Sequence, residues 1–464
     1  MAAKRVKAKK DVPYIKIGYI GGGSRGWAPQ MMVDLAASDE MQGEIRLYDL
    51  DRPSALLNAR WGKKVMESPE ALSQWKYKVV DSLKEALTDV DFVVASIQPG
   101  PIWMMGHDIN IPAKYGILHP VGDTVGPAGL VRSLRSVPDY AAIARAVERY
   151  CPSAWVINYT NPMSVCTRTL FKVFPQIKAF GCCHEMFGTQ GYLCKLLDKY
   201  HGIKGKTRYD LKVTALGVNH FVWLLAAEYE GIDLVELYAK EWREPGKVRK
   251  IGPEEIAKMN VFENRGQVGY DLFKRFGIMP TGGERHLVEF VPWYLKDEET
   301  LKRWGVQLTP YSFRAQRYEA LPRERRAKIA DRAPAKIKMS GEETVQQMLA
   351  LLGLHDLRTN VNLPNIGQAE GLPHEAVVET FAYFTHDRVE PEFAGRLPAG
   401  VEALVARTIY NQEMTVEAGL TCDYNLAFQT LLNDPLTNLT TDRAEKMFKE
   451  MLRATKDCLP GWKV

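Results

Sequence analysis

The chain has 464 residues, 46% of them hydrophobic and 25% charged, which suits a soluble globular protein with two domains or with one core and large insertions. Its formal charge of +5 is matched by Lys4, Arg5, Lys7, Lys9 and Lys10 alone, so the remainder is nearly balanced and no nucleic-acid footprint is expected. No run approaches the ~18 apolar residues needed to span a bilayer, so no membrane partner is expected either.

Residues 1–12 read as a basic disordered tail without the apolar segment of a secretory signal. Seven scattered cysteines do not resemble a disulfide framework, and the expected location is a reducing cytoplasm. Tyr14–Ile20 then reads as a buried parallel strand, broken by Gly21-Gly-Gly-Ser-Arg-Gly26 and followed by an amphipathic helix through Met31, Met32, Val33 and Leu35. A strand, a glycine turn and a helix form the context of a dinucleotide fingerprint. The next strand, Glu44–Asp49, ends in an acid suited to a ribose 2′-hydroxyl, which favours NAD over NADP. Gly21, Gly23, Ser24, Arg25 and Asp49 are the candidate cofactor contacts; the plain alternative is a sharp βα turn with a solvated acid.

The alternation continues with helix Arg52–Met66, strand Tyr77–Val80, helix Ser82–Leu87 and strand Asp91–Ile97. Gln98 follows at a strand end and is expected on the nicotinamide side of the crevice. A Gly/Pro-rich loop, Val121–Gly129, carries Asp123 and leads into helical segments Leu130–Ser136 and Asp139–Tyr150. Strand Trp155–Tyr159 stops at Thr160-Asn-Pro162, where Asn161 is either a functional strand-end polar group or an N-cap. Strand Lys178–Cys182 delivers Cys183-His-Glu185. The fold class implied is α/β, a Rossmann-type doubly wound parallel sheet over residues 13–200.

Residues 201–464 change in character and are expected to form a mixed α+β domain for substrate, metal, catalysis and oligomerisation. Leu211–Asn219 and Phe221–Glu230 read as strands flanking His220, Asn260–Phe276 as helical, and Lys296–Lys338 as exposed charged helices. Asn360–Gly367 reads as a loop and Val377–Phe384 as a strand. Val401–Ala418, Leu426–Leu432 and Ala444–Thr455 read as closing helices. Taken alone, Cys183 is most simply a buried apolar thiol and His220 a hydrogen-bonded core histidine. Together, a thiolate and a neutral imidazole leave the open positions that a catalytic metal needs.

Ile20-Gly-Gly-Gly-Ser24, Asn158-Tyr-Thr-Asn-Pro162, Cys183-His-Glu185, Gly217-Val-Asn-His220 and Val361-Asn-Leu-Pro-Asn365 resemble glycoside hydrolase family 4, the NAD-dependent glycosidases. The Gly-Asp-Thr-Val-Gly-Pro loop and Cys-Cys-His-Glu are similar to the α-galacturonidase branch. The resemblance implies a tightly held NAD, Mn²⁺ or another divalent metal at Cys183 and His220, and a homodimer or homotetramer. It implies hydrolysis by C3 oxidation, C2 deprotonation, elimination, water addition and re-reduction. It carries His184 over as candidate general acid, with Glu185 beside it as a second candidate or a substrate contact, and Asp123 as a contact to sugar hydroxyls.

The family often supplies its C2 base from the segment matching Gly277–Phe290, commonly a tyrosine; this chain has none there, and Glu284 is the first choice. Gln98–Pro112 lacks the Arg or Lys that phosphosugar branches use, whereas Arg285, His286 or Arg132 could meet a uronate. The expected substrate is therefore a small α-galacturonide, with α-glucuronide next and neutral α-galactoside or α-glucoside behind. A malate- or lactate-type dehydrogenase is the alternative enzyme class, and an NAD-binding sensor the non-enzyme one.

Overall fold

The computed structural model describes residues 12–463 apart from 250, 259, 261, 262 and 264. Lys4, Arg5, Lys7, Lys9 and Lys10 of the expected tail lie outside the described residues. The apolar runs of the first half become six parallel strands: β1 (Tyr14–Ile20), β2 (Gln42–Tyr48), β3 (Trp75–Val80), β4 (Phe92–Ala95), β5 (Trp155–Asn158) and β6 (Lys178–Gly181). Their order is β3-β2-β1-β4-β5-β6, all pairs parallel. This is the dinucleotide-binding order, and its reversal between β1 and β4 opens a crevice at the strand ends. Helices Trp27–Ala36, Arg52–Met66 and Thr344–Leu351 cover one face. Leu83–Leu87, the C-terminal half of Gly126–Tyr150 and Met163–Val173 cover the other. Strands covered on both faces must be apolar throughout, which is why their sequences show little alternation.

The sheet does not stop at β6. Strand Leu357–Pro364 joins it antiparallel through Asn362 opposite Gly181. Val377–Thr385, β7 (Lys212–Val218), β8 (Phe221–Tyr229) and Met279–Pro280 extend it antiparallel, into a sheet of 13 strands. The anticipated boundary near residue 200 thus falls where the chain passes from the parallel to the antiparallel part of one sheet. No helix among the described residues is long and apolar enough to cross a membrane.

Three expectations change. Asn360–Gly367, read as a loop, is for most of its length a strand, since Leu357–Pro364 pairs along all eight residues with Val377–Thr385. Its asparagines hid this because they are poor strand formers. Here they have a buried partner, for the carboxylate of Glu379, 2% exposed, accepts from the side-chain amides of Asn219 (3.1 Å), Asn360 (2.8 Å) and Asn362 (3.0 Å). Leu130–Ser136 and Asp139–Tyr150 are one 25-residue helix, Gly126–Tyr150, that runs through Pro138. The expected helix over 260–276 is a helix over Gln267–Phe276, and residues 261, 262 and 264 lie outside the described residues.

Glu379→Ala strands three buried amides and is expected to lower the unfolding free energy by about 3 kcal/mol in urea titration; a loss under about 1 kcal/mol would mean the amides find other acceptors.

Candidate functional site

At the end of β1 the backbone amides of Gly21 and Gly22 donate to the carbonyl of Tyr48, each at 2.9 Å. Gly21 has φ 89°, and a Cβ there would sit 2.1 Å from the carbonyl oxygen of Ser96, so only glycine fits. Asp49 at the end of β2 turns inward: one carboxylate oxygen accepts from the amide of Gly23 (2.8 Å), the other from that of Asp51 (2.7 Å). Arg25 stacks its guanidinium 3.3 Å from the ring centroid of Tyr318, and Ser24 approaches Ser96. Asn58, which sequence reasoning passed over, braces the turn by donating to the carbonyls of Gly22 (2.8 Å) and Ser24 (2.9 Å). Helix Trp27–Ala36 starts here without a side-chain cap, leaving its first amides for an anionic ligand such as a pyrophosphate.

On the other side of the crevice, Arg132 donates to the carbonyl of Asn161 (2.9 Å) and to the side chain of Gln98 (3.4 Å). Asn161 is not an N-cap. Pro162 occupies that position without any side-chain cap, and the Oδ1 of Asn161 is buried without a partner.

The centre of the site is set by two short connections. Val218 pairs with Phe221, so β7 and β8 are joined by Asn219 and His220 alone. That tightness forces His220 to φ 66°, a left-handed conformation costly for a residue with a Cβ. The loop before helix Gly126–Tyr150 is pinned by buried Glu289, which accepts from the amides of Val121 (2.8 Å) and Gly122 (2.9 Å) and so aims Asp123. His286 arrives from helix Glu284–Phe290, its ring centroid 3.8 Å from that of His220. Asp123, His220 and His286 each offer a donor atom, and these lie within 4.8 Å of one another. Asp123 and His286 were expected to touch substrate; the structure groups them with His220 as well.

The charge states suit a cation. Burial would raise the Asp123 carboxyl, but His286, Arg314, Arg132 and His220 outweigh it and hold it at about 2. Burial lowers His220 to about 4 against the pull of Asp123. It lowers His286 well below the usual imidazole range, helped by the nearby His220 ring. The Thr124 hydroxyl donates to Asp123 (2.9 Å), so in its 3.1 Å contact with Nδ1 of His220 it accepts. That places the His220 proton on Nδ1 and leaves the lone pair on Nε2. Nδ1 of His286 is buried without a partner. One carboxylate and two neutral imidazoles form a donor set for a divalent transition metal.

Cys183 is 9% exposed and its thiol is not in that group; burial, and then the charges of Glu379 and Glu185, push it far above the usual range. Cys182 points the other way, into the core. His184 is half-exposed, 2.9 Å from Glu342, which raises its pKa. Glu185 accepts from the amide of Gly283 (2.6 Å) through one oxygen, while the other is buried without a partner. Burial, with Glu379 and Asp123 nearby, raises its carboxyl to about 8. His184, Glu185, Tyr192, Trp242 and Glu284 line a cavity of about 770 Å³. Glu284 is otherwise engaged than expected: its carboxylate accepts from the amides of Arg265, Val268 and Gly269 at the start of helix Gln267–Phe276. Arg285 bonds Thr309.

Thr124, Glu289, Glu342, Glu379 and Arg314 are site residues that the sequence did not single out. Each acts through a partner remote in sequence.

A family 4 glycosyl hydrolase model matches residues 16–199, and the model of that family's C-terminal domain matches residues 215–437. The alpha-galacturonidase of Thermoanaerobacterium saccharolyticum is 46% identical over 456 residues, covering 97% of each chain. The crystal structure of lplD from Bacillus subtilis superposes with a TM-score of 0.89 at 46% identity, over 95% of this chain and 100% of that one. A 6-phospho-alpha-glucosidase from gut microorganisms, solved with NAD and Mn²⁺, shares the fold at a TM-score of 0.80 and 19% identity, over 97% of this chain and 100% of that one. The chain belongs to family 4 of the glycosyl hydrolases.

Proposed function

We propose that this hydrolase cleaves α-galacturonides with NAD and a divalent metal, by C3 oxidation, C2 deprotonation, elimination, addition of water at C1 and re-reduction. The observation that carries the reading is the convergence of a carboxylate and two neutral imidazoles near the protonated carboxyl of Glu185, one of whose oxygens is buried without a partner, at the strand ends of a dinucleotide-binding sheet. Such a set serves a glycosidase that must acidify a carbon-bound proton and expel a leaving group. When bound, the dinucleotide accepts and returns a hydride and the metal acidifies the proton beside the ketone.

Asp123, His220 and His286 would hold the metal, with Cys183 as a further candidate donor. Gly21, Gly23, Ser24, Arg25 and Asp49 would hold the dinucleotide, and Gln98 and Asn161 would flank its reactive end. Glu185, which lines the cavity, would pass its proton to the leaving-group oxygen. His184, steadied by Glu342, borders the same cavity and would contact the leaving group. The amides of helix Gln267–Phe276 occupy Glu284, and no proton transfer is assigned to it. The galacturonide rests on the 46% identical relative of that name, and on Arg132 and Arg285, which lie within the field of Asp123.

With Mn²⁺ and NAD⁺, an aryl α-galacturonide is expected to turn over faster than the α-glucuronide, α-galactoside and 6-phospho-α-glucoside, and turnover in D₂O is expected to place deuterium at product C2 without NADH accumulating. Preference for the phosphosugar would overturn the substrate, and protium at C2 the elimination route. In Mn²⁺ titrations followed by electron paramagnetic resonance, Asp123→Ala, His220→Ala and His286→Ala should each weaken binding by about 100-fold. If His286→Ala binds as wild type and Cys183→Ser does not, the ligands are Cys183 and His220 instead. With its carboxyl at about 8, Glu185 loses its proton as pH rises through that value, so kcat/KM should fall on the alkaline side. Glu185→Gln should lower the rate by about 100-fold or more and abolish that limb; an unchanged limb would remove Glu185 as the donor.

A further inference from the structure

Arg325, on helix Tyr311–Ala330, meets the glycine turn from 300 residues away in sequence. Its Nη1 donates to Oδ1 of Asn58 at 2.7 Å, and its Nη2 to the carbonyl of Arg25 at 2.9 Å. Asn58 is buried and donates in turn to the carbonyls of Gly22 and Ser24. Three carbonyls of the turn, those of Gly22, Ser24 and Arg25, are therefore held by one Arg–Asn relay. In a trans peptide the carbonyl and the following amide point in opposite directions, so the amides of Gly23, Arg25 and Gly26 face away from that relay. Asp49 takes the amide of Gly23, and carbonyls of the turn and of Tyr48 take those of Gly21, Gly22 and Ser24. The amides of Arg25 and Gly26 have no acceptor among the described residues. They add to the donors of the helix start, where Pro29 supplies none.

Both acceptors of Arg325 are neutral, and burial of its guanidinium lowers its pKa to about 10 against the pull of Glu324. Glu324 is itself paired with Arg317 at 2.6 Å. The turn is thus backed by a charged fork that bonds only to neutral groups. We infer that Arg325 is a positioning residue for the dinucleotide, turning the amides of Arg25 and Gly26 toward the pyrophosphate directly and through Asn58. The first half of the chain carries the glycine turn, and the second half supplies the side chain that sets its amides. A lysine at 325 would keep the charge but has no planar fork with which to hold both acceptors at once. The inference rests on the reading of Gly21–Arg25 as dinucleotide contacts.

The test is calorimetric titration of NAD⁺ into the full-length enzyme, with Mn²⁺ affinity of the same samples followed by electron paramagnetic resonance. Arg325→Gln should weaken NAD⁺ binding by about tenfold while Mn²⁺ binds as in wild type. Arg325→Lys should recover part of the loss, to about threefold. Gly26→Glu is the reference: its side chain enters open space at the helix start, where an acid repels a pyrophosphate. If Gly26→Glu loses NAD⁺ affinity and Arg325→Gln does not, the inference is overturned. If neither loses it, the dinucleotide reading of the turn falls, and the inference with it. Equal losses of NAD⁺ and Mn²⁺ affinity in Arg325→Gln would also overturn the inference and reduce Arg325 to a support for helix packing.

Discussion

Glu379 sits where the two kinds of sheet meet, and its carboxylate is the point to which the neighbouring strands are tied. Burial alone makes a carboxylate costly, and the three amides of Asn219, Asn360 and Asn362 offset that cost. Each amide belongs to a segment with a task. Asn362 stands opposite Gly181 at the end of β6, fixing the antiparallel strand against the parallel sheet. Asn360 also lies 3.2 Å from the carbonyl of Cys183, and Asn219 is one half of the turn that presents His220. One buried acid therefore sets the relative position of the thiol and the imidazole, which follow a parallel and an antiparallel strand of the sheet respectively.

Around that anchor the titratable groups are driven apart by their surroundings. Asp123 is kept ionised beside the guanidiniums of Arg314 and Arg132, His220 and His286 are kept neutral by burial, and Glu185 is kept protonated by burial beside other acids. Carboxyls at about 2 and about 8 within one site match the metal-facing acid and the proton-carrying acid of the proposed mechanism. The polar helix Tyr311–Ala330 ties this chemistry to the nucleotide side. Arg314 touches the Val121 loop, Tyr318 lies under Arg25, and Arg325 reaches Asn58 at 2.7 Å.

Much of the fold was legible because its signals are local. Glycines after an apolar strand, an acid at the next strand end and repeated βα alternation announce a doubly wound sheet, and the strand order agrees. What escaped depends on partners distant in sequence. Asn360 and Asn362 looked like loop residues because the acid that makes them strand residues lies on the neighbouring strand. Arg314 looked solvated because a charged helix with no apolar stripe carries no sign of where its first turn lands. Glu284 looked like a base because spacing cannot reveal that backbone amides of residues 265–269 would occupy it. Asp123 and His286 were recognised as site residues, but their convergence on His220 within 4.8 Å is a property of two loops and a helix meeting.

His220 occupies a backbone conformation that glycine would adopt without strain, while for residues with a Cβ it costs roughly 1–2 kcal/mol. The hairpin would therefore be more comfortable without its imidazole. If His220 holds the metal as proposed, thermal stability and function select opposite residues at this position. A library chosen only for heat resistance should drift toward glycine or asparagine at 220, so enrichment of histidine there under selection for turnover, set against its depletion under selection for stability, would measure how strongly the chemistry holds this residue in place.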